Sequence, residues 1–237
     1  MQDDKSTHRK FDHDAHARTR PRDDFWGQIR RTVNGTPVSE EQISLIVDAI
    51  KASLSLQKPD VLLDLACGNG ALSHRLFDAC AGLMGVDLSE FLISVAKENF
   101  ESAPHFRFEH SDAVAYLRAE TSPERFSKAL CYGSFSYFSQ DAARETLCLL
   151  HDKFSHIKSV FIGNLPDKDL AASFYTQAMP AAAEIADHES TIGIWRTRGE
   201  FAELARDAGW HAQVQVMPSG FWAAHYRYDV LLTRNAA

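Results

Sequence analysis

Apolar and polar positions along the chain form two alternating patterns: short apolar runs, and longer stretches with apolar residues at helical spacing. The short runs predict seven strands, at residues 61–66, 82–86, 106–109, 128–131, 159–162, 212–217 and 226–232. The stretches between them predict five helices, at residues 72–79, 89–100, 113–120, 142–154 and 197–208, and a capping box formed by Thr197 and Glu200 is predicted to open the last one. This alternation is typical of parallel βαβ units. Only residues 218–225 separate the last two strands, too few for a crossover helix, so those strands are predicted to be antiparallel.

The pattern also divides the chain into segments. Residues 1–24 carry many charged side chains and scarcely any large apolar residue, which predicts a disordered tail. Residues 25–58 contain a capping-box sequence, Ser39 to Gln42, ahead of apolar residues at helical spacing, and are predicted to form a helical cover. Residues 59–237 form the main domain. Within it, residues 164–196 are a long insert that we interpret as a lid, with a dimer surface as the alternative.

Composition and charge narrow the function. With 237 residues, 45% of them hydrophobic, the chain can bury one sizeable core. Its formal net charge of −7 disfavours nucleic acid as a partner. No apolar stretch approaches the roughly 18 residues of a membrane span, and the charged N-terminus is unlike a secretory signal, so we expect a cytoplasmic protein that does not bind a membrane. We expect it to be a monomer or a homodimer. The four cysteines include no C-x-x-C pair, and no metal site is expected.

The first predicted strand leads into a turn that contains two glycines and opens a helix. It reads Asp64-Leu65-Ala66-Cys67-Gly68-Asn69-Gly70. Glycines let the backbone turn tightly and approach a ligand, and a helix N-terminus offers unpaired N–H groups, so the turn predicts a nucleotide-type ligand. The dinucleotide fingerprint G-x-G-x-x-G has its third glycine where this chain has Ser73, so the pattern for NAD is incomplete.

Two acidic residues follow the next two strands. Asp87 ends the second strand, about 20 residues beyond the glycine turn, where a carboxylate can hold a ribose diol. Capping of the following helix is the alternative role, but Ser89 is already a good cap. Asp112 ends the third strand, and it can either cap the next helix or accept a hydrogen bond from an exocyclic amine.

These three elements, in this order and spacing, make residues 61–234 resemble a class I S-adenosylmethionine-dependent methyltransferase. The family's acid before a G-x-G-x-G run is matched by Asp64, with Ala66 in place of the first glycine, for which we expect a slightly altered turn. The resemblance implies S-adenosylmethionine as cofactor and S-adenosylhomocysteine as product. It implies an α/β fold, a Rossmann-like doubly wound sheet of seven strands in the order 3-2-1-4-5-7-6, with the last strand antiparallel and helices on both faces.

The resemblance also implies which residues bind the cofactor. Asp64 and the backbone of residues 66–70 would face the methionine part, and Asp87 would hold the ribose hydroxyls. Asp112 and the Ala113 N–H would read the adenine. The complete implied set is Asp64, Ala66, Cys67, Gly68, Gly70, Asp87, Leu88, Asp112 and Ala113.

The acceptor is expected beyond the carboxyl ends of the later strands. The loop after the fourth strand is rich in aromatic residues and lacks the D/N-P-P-Y sequence of nucleic-acid amino-methylating enzymes, which disfavours base methylation. His225, at the start of the last strand, is the candidate general base, with Tyr132 as a second catalytic candidate and His188 as a weaker one. Aromatic candidates for the acceptor pocket are Trp26, Tyr132, Phe135, Tyr137 and Trp222.

The sequence therefore predicts an enzyme that transfers a methyl group to a small or carrier-linked metabolite, with oxygen slightly favoured over nitrogen as the acceptor atom. Three alternatives stay open at this point. The chain could transfer a different group from the same cofactor, or it could bind the cofactor without catalysis. A nicotinamide oxidoreductase is the third, opposed by Ser73 and by the antiparallel last strand.

Overall fold

The computed structural model describes residues 12–33 and 35–234. The strands of the main sheet are β3 (Val61–Leu65), β4 (Gly82–Asp87), β5 (Phe106–His110), β6 (Lys128–Tyr132), β7 (Ser159–Pro166), β8 (Trp210–Gln215) and β9 (Arg227–Arg234). Ahead of them, β1 (Thr32–Val33) and β2 (Thr36–Pro37) pair as a separate small hairpin. Each predicted strand lies within a few residues of an observed one.

The sheet has the strand order β5-β4-β3-β6-β7-β9-β8. This is the predicted order 3-2-1-4-5-7-6 counted over the seven main strands, so the predicted fold class is confirmed. Strands β3 to β7 pair in parallel, and β9 runs antiparallel to both of its neighbours, β7 and β8. The sheet therefore presents the carboxyl ends of β3 to β7 along one edge, with the start of β9 beside the end of β7.

Helices precede, connect and follow these strands. They are α1 (His13–Arg18), α2 (Phe25–Gln28), α3 (Glu40–Leu54), α4 (Ala71–His74), α5 (Glu90–Asn99), α6 (Ala113–Ala119), α7 (Gln140–Asp152), α8 (Ala171–Phe174), α9 (Ala182–Ile185) and α10 (Arg198–Asp207). Short 3-10 helices lie at Phe77–Ala79, Pro123–Arg125, Phe135–Tyr137 and Lys168–Leu170. The predicted helix 72–79 is thus a short α-helix followed by a 3-10 turn. Within the described part of the chain, no helix combines the length and the apolar composition needed to cross a membrane.

Buried apolar side chains fill both faces of the sheet, because successive strand residues point to opposite sides. Leu63 packs with the cluster that includes α6, α7 and α10, and its neighbour Leu62 packs with the cluster that includes α3 and α5. Both side chains are fully buried. The strands read as nearly continuous apolar runs for this reason, as expected for a sheet covered on both faces.

Two capping predictions meet different outcomes. Thr197 and Glu200 form the complete capping box predicted for α10. Ser39 caps α3 by accepting a hydrogen bond from Gln42 N at 3.4 Å, but the Gln42 side chain does not bond back to it. Instead, Gln42 Nε2 donates to Gly220 O at 2.8 Å, and its Oε1 accepts from Trp222 N at 2.8 Å. The amide is used to hold the β8–β9 loop against the start of α3.

The N-terminal segment differs from the predicted disordered tail within residues 12–24. Asp12 caps α1 by accepting from Ala15 N at 2.9 Å. Asp14 accepts a short hydrogen bond from Ser89, at the start of α5, and Arg22 forms an ion pair with Glu98 of the same helix. The segment gains order by docking on the main domain, which a composition argument about its own burial does not anticipate. Residues 1–11 of the predicted tail lie outside the described residues.

Candidate active site

The turn after β3 has the backbone that a glycine-rich loop needs. Ala66, Gly68 and Gly70 have φ values of +56°, +61° and +74°, all in the left-handed region. Two of these positions are glycine, for which that region carries no steric cost, whereas Ala66 adopts it with a methyl group. We expected a slightly altered turn at Ala66. The structure instead gives Ala66 the left-handed conformation that a glycine would adopt there.

Asp87 holds this loop from the end of β4. Its Oδ2 accepts from Gly68 N at 2.8 Å, and its Oδ1 accepts from Ser89 N at 2.9 Å. Ser89 caps α5 by accepting from Leu92 N at 3.1 Å, so Asp87 is not needed for that role. Burial raises the pKa of Asp87, and the two N–H donors oppose that shift. The carboxylate lines the cavity described below and retains lone pairs for a ligand.

Asp64 lies inside the loop, at the end of β3. It is 3% exposed, and its Oδ2 accepts from Ser73 Oγ at 2.6 Å. Burial raises the pKa of Asp64 to about 7, the Ser73 hydrogen bond lowers it, and the nearby charge of Asp87 raises it. Ser73 was notable in the sequence only for replacing a glycine. In the structure it orients the loop carboxylate.

Asp112 and Ala113 mark the next strand end. Asp112 is exposed, and it caps α6 by accepting from Ala115 N at 2.9 Å. Ala113 is the first residue of α6, so its N–H has no acceptor within the helix. Leu88, next to Asp87, is 70% exposed, which is unusual for a large apolar side chain beside a cavity. The Leu88 side chain, the Ala113 N–H and the Asp112 carboxylate therefore lie beside the same cavity.

These strand ends border a cavity of about 1080 Å³. This is slightly above the roughly 300–1,000 Å³ typical of small-molecule sites, so it has room for a nucleoside cofactor and a second molecule. Eight of the nine predicted cofactor residues line it: Asp64, Ala66, Cys67, Gly68, Asp87, Leu88, Asp112 and Ala113. Gly70 does not. A Cβ on Gly70 would lie 2.8 Å from the Phe108 ring, so its role is in packing.

Two segments outside the strand ends also line the cavity. One is residues 12–33, here called the roof segment, and the other is the insert, residues 164–196; both contribute lining residues. The roof segment packs closely on the glycine loop, since a Cβ on Gly68 would lie 2.9 Å from Ile29 Cγ2. Fully buried Asn69 ties the loop to α2, because its Nδ2 donates to Phe25 O at 2.7 Å and to Gln28 Oε1 at 2.8 Å.

The roof segment and the insert meet around Tyr137. The Tyr137 hydroxyl donates to Thr191 O at 3.0 Å, and Arg30 Nη1 donates to the same carbonyl at 3.2 Å. On the other side, the His13 and Tyr137 rings form an edge contact with centroids 4.3 Å apart. Burial and the charge of Arg30 lower the pKa of His13 to about 4, so its imidazole is neutral at pH 7.

The predicted acceptor residues divide into two groups. Tyr132, Tyr137 and Trp222 line the cavity. Trp26 and Phe135 do not: Phe135 is buried in the core against Phe138 and Phe201, and Trp26 packs beside the other core cluster. For these two, the structure replaces the predicted pocket role with packing.

The candidate base His225 is also outside the cavity lining. Its side chain is exposed, and Nδ1 contacts Trp222 O at 3.1 Å. The β8–β9 loop turns Trp222 toward the cavity and His225 away from it, which strand position alone could not reveal. Burial raises the pKa of Tyr132, so its hydroxyl stays protonated and is a donor. His188, the weaker candidate, does line the cavity, on the insert.

Several polar cavity residues were missed by the sequence reading. They are Arg31, Asn164 and Arg227, from the roof segment, β7 and β9. Asn164 has φ +63° at an irregularity in the β7–β9 pairing between Ile162 and Leu165. A signal was present, because Asn164 and Arg227 are polar residues inside or beside apolar strand runs, near the ligand edge of the sheet.

Comparisons with known proteins agree with this geometry. Residues 62–153 match the family model described as a methyltransferase domain. Ribosomal RNA small subunit methyltransferase A of Pseudomonas syringae is 32% identical over 71 residues, which are 30% of this chain and 26% of that protein. The chain spans 26% to 27% of the length of three curated relatives that it matches.

Two solved structures share the fold. An S-adenosylmethionine-dependent methyltransferase from Clostridium acetobutylicum aligns with a TM-score of 0.63 at 13% identity, over 89% of this chain and 98% of that one. Magnesium protoporphyrin IX methyltransferase from Synechocystis, solved with bound S-adenosylmethionine, aligns with a TM-score of 0.58 at 15% identity, over 95% of this chain and 98% of that one. Residues 62–153 are thus similar to a methyltransferase domain, and the fold is the one shared by these solved S-adenosylmethionine-dependent methyltransferases.

Proposed function

We propose that this chain transfers a methyl group from S-adenosylmethionine to a small or carrier-linked metabolite and releases S-adenosylhomocysteine. One observation carries the proposal: Asp87, at the end of β4, faces a cavity of about 1080 Å³ while binding the backbone of the glycine loop. A carboxylate at this place in a doubly wound sheet suits a ribose diol. The matched methyltransferase domain covers both the loop and Asp87.

The residues around Asp87 fit the other parts of the cofactor. Asp112 and the Ala113 N–H offer an acceptor and a donor to the adenine edge, and exposed Leu88 offers an apolar surface to its ring. Asp64, buried beneath the loop, offers its carboxyl group on the side where the cofactor's ammonium group would lie, and that positive charge would favour its ionised form. Each of these side chains lines the same cavity.

When bound, S-adenosylmethionine supplies an electrophilic methyl group on a sulfonium sulfur. The chain's own contribution is to position the reactants and to exclude water. The glycine loop and Asp87 fix the donor side, and the residues after β6 and β7 face the other half of the cavity. The roof segment and the insert supply further residues of the cavity lining, so we expect them to limit the access of solvent to the reacting groups.

Oxygen remains the acceptor atom that we favour slightly over nitrogen. A hydroxyl acceptor benefits from a group that takes its proton. Because His225 lies outside the cavity lining, we assign that role to His188, whose side chain is on the insert and lines the cavity. The acceptor atom can be read from the methyl chemical shift of the isolated product, where an N-methyl signal would contradict this preference.

The test is titration calorimetry of the ligand-free protein with S-adenosylmethionine, S-adenosylhomocysteine and NAD. We expect the two sulfur nucleosides to bind with micromolar affinity and NAD not to bind. Asp87→Ala should weaken S-adenosylhomocysteine binding by about 1–3 kcal/mol, because the ribose loses its acceptor and the loop loses an anchor.

Asp78→Ala is the matched control, since it removes an exposed carboxylate that pairs with Lys51 away from the cavity. We expect that variant to bind like the natural chain. Failure of both sulfur nucleosides to bind folded protein, or equal binding by Asp87→Ala, would refute the proposed cofactor site.

A further inference from the structure

Two arginines line the cavity and are not among the residues assigned to the cofactor. Arg31 comes from the roof segment and Arg227 begins β9. The residues assigned to the cofactor follow β3, β4 and β5, on one side of the sheet. Arg227 and its neighbour Asn164 belong to β9 and β7, on the other side. Arg227 therefore lies on the acceptor side of the fold, and Arg31 approaches this side from the roof segment, with its guanidinium over the Tyr132 ring at the end of β6.

Neither guanidinium has a carboxylate partner within 4 Å among the described residues. Arg227 is 8% exposed, and its Nη1 donates to Asn164 O at 2.5 Å. The Arg31 guanidinium lies over the Tyr132 ring and that of Arg227 over the Tyr226 ring, each 4.9 Å from the ring centroid. In both residues Nε is buried and has no hydrogen-bond acceptor.

Such an arrangement is costly unless something compensates the charge. Burial of a cation without a counter-ion is strongly unfavourable, and two neighbouring cations repel each other. The pKa of Arg31 is lowered by burial, and the charge of Arg227 acts in the same direction, whereas Tyr132 and the charge of Asp64 oppose that shift. An anion bound between them would supply the missing acceptors and the missing charge.

Other polar groups face the same space. Asn164 Oδ1 and Trp222 Nε1 are also buried without a hydrogen-bond partner, and both residues line the cavity. Gly133 leaves room between them, since a Cβ there would lie 3.1 Å from Arg31 Nη2 and 3.4 Å from Asn164 Nδ2. An acceptor with an anionic group and a nearby hydroxyl or amine could satisfy all of these atoms.

We propose that Arg31 and Arg227 bind an oxoanion, a carboxylate or a phosphate, on the methyl acceptor. Guanidinium groups form paired, charge-assisted hydrogen bonds with both kinds of oxoanion. Aromatic walls, including Tyr137, Phe174 and Tyr226, suit an acceptor with a flat apolar part beside that group. The assignment to an acceptor rests on the proposed function, whereas the anion site can be tested separately.

The probes are 4-hydroxybenzoate, its neutral analogue 4-hydroxybenzamide, and phenyl phosphate. Each is titrated calorimetrically into the natural chain saturated with S-adenosylhomocysteine. We expect at least one of the two anions, 4-hydroxybenzoate or phenyl phosphate, to bind. If 4-hydroxybenzoate binds, its neutral amide should bind at least tenfold more weakly. Binding of only the benzoate or only the phosphate identifies the oxoanion.

Arg227→Gln should weaken anion binding at least tenfold while changing S-adenosylhomocysteine affinity less than twofold. Arg31→Gln, outside the main sheet, provides a second variant in case the first does not fold. Arg118→Gln is the matched control, because it removes an exposed cation paired with Glu145 outside the cavity lining. We expect this control to bind the anion normally.

Three results would overturn the proposal: no anion binding, equal binding by the arginine variants and the control, or a loss of S-adenosylhomocysteine affinity in place of anion affinity. The last would assign the arginines to the cofactor's own carboxylate. If S-adenosylhomocysteine itself does not bind, the proposed function fails. The anion titrations are then repeated on the ligand-free chain, where they still test the site.

Discussion

Ala66 carries a methyl group at a φ of +56°, where glycine is the favoured residue. A left-handed conformation costs an alanine about 1–2 kcal/mol, part of which is offset because alanine restricts the unfolded chain more than glycine does. We therefore expect Ala66→Gly to raise the free energy of unfolding by about 0.5–1 kcal/mol, measured by urea denaturation.

The matched control for this substitution is Ala52→Gly, at an exposed position inside α3. There the backbone is helical, so the same change should destabilise the protein by about 0.5–1 kcal/mol. If both substitutions changed the free energy of unfolding in the same direction, the left-handed backbone at Ala66 would not be the source of the stability change.

Asp64 should make stability depend on pH. Its pKa is raised to about 7 in the folded chain, whereas an unfolded aspartate titrates near pH 4. Between pH 4 and pH 7 the Asp64 carboxyl is protonated in the folded chain and ionised in the unfolded chain. Its contribution to the free energy of unfolding is therefore fully present below pH 4 and is lost as the pH rises through 7. We expect the Tm to fall less between pH 5 and pH 8 in Asp64→Asn than in the natural chain.

The amide of that variant can still accept the hydrogen bond from Ser73. Asp229, whose pKa burial raises to about 6, contributes in the same direction but is present in both proteins. The difference between the two Tm profiles therefore reports on Asp64. Parallel profiles would show that Asp64 is ionised in the folded protein at pH 5.

At single positions, the sequence predicted what the backbone pattern dictates. Asp64, Gly68 and Asp87 could be found because strand ends and turns place them at fixed offsets along the chain. Arg31 could not, because its contact with the Tyr132 ring joins residues about a hundred positions apart. His225 illustrates the opposite error, since its place at the ligand edge was predicted while the direction of its side chain depends on the loop.

Among the elements, α2 depends on one buried side chain for its position. Asn69→Ala would leave Phe25 O and Gln28 Oε1 without their donor inside the protein, at a cost of about 1–3 kcal/mol for each unpaired group. We expect a lower Tm and about tenfold weaker S-adenosylhomocysteine binding, because the roof segment would dock less firmly on the glycine loop.

Asn99→Ala is the control for this substitution. Its Nδ2 donates to Val95 O inside α5, and its side chain is not part of the cavity lining. We expect it to lower the Tm slightly and leave the affinity unchanged. If Asn69→Ala lowers the Tm but binds S-adenosylhomocysteine normally, the amide stabilises the fold without holding the binding site.

Helix α1 shows why some elements escape prediction. Its sequence is short and charged, and only Ala17 is buried within it. Its order comes from docking on α5, where Asp14 bonds to the cap residue Ser89 and Arg18 lies over the Phe91 ring, both more than 70 residues away along the chain. In contrast, α10 could be predicted together with its capping box, because all the necessary groups lie within four consecutive residues.

For the whole molecule, the family resemblance implied the strand order, whereas the sequence did not indicate which residues of the roof segment and the insert contact each other. Parallel crossovers have one handedness, and the short β8–β9 connection forces an antiparallel pair, so few arrangements of seven strands remain. The roof segment and the insert follow no such rule. Their positions depend on contacts such as Ile29 on Gly68, which join distant parts of the chain.

The meeting of the roof segment and the insert around Tyr137 has a kinetic consequence. Arg30 of the roof segment and Tyr137, in the 3-10 turn after β6, donate to the same Thr191 carbonyl of the insert, so lifting the insert breaks both hydrogen bonds at once. Under the proposed function, the spent cofactor and the methylated product would leave after both bonds break. The rate of that opening would set an upper limit on kcat, however fast the methyl group moves.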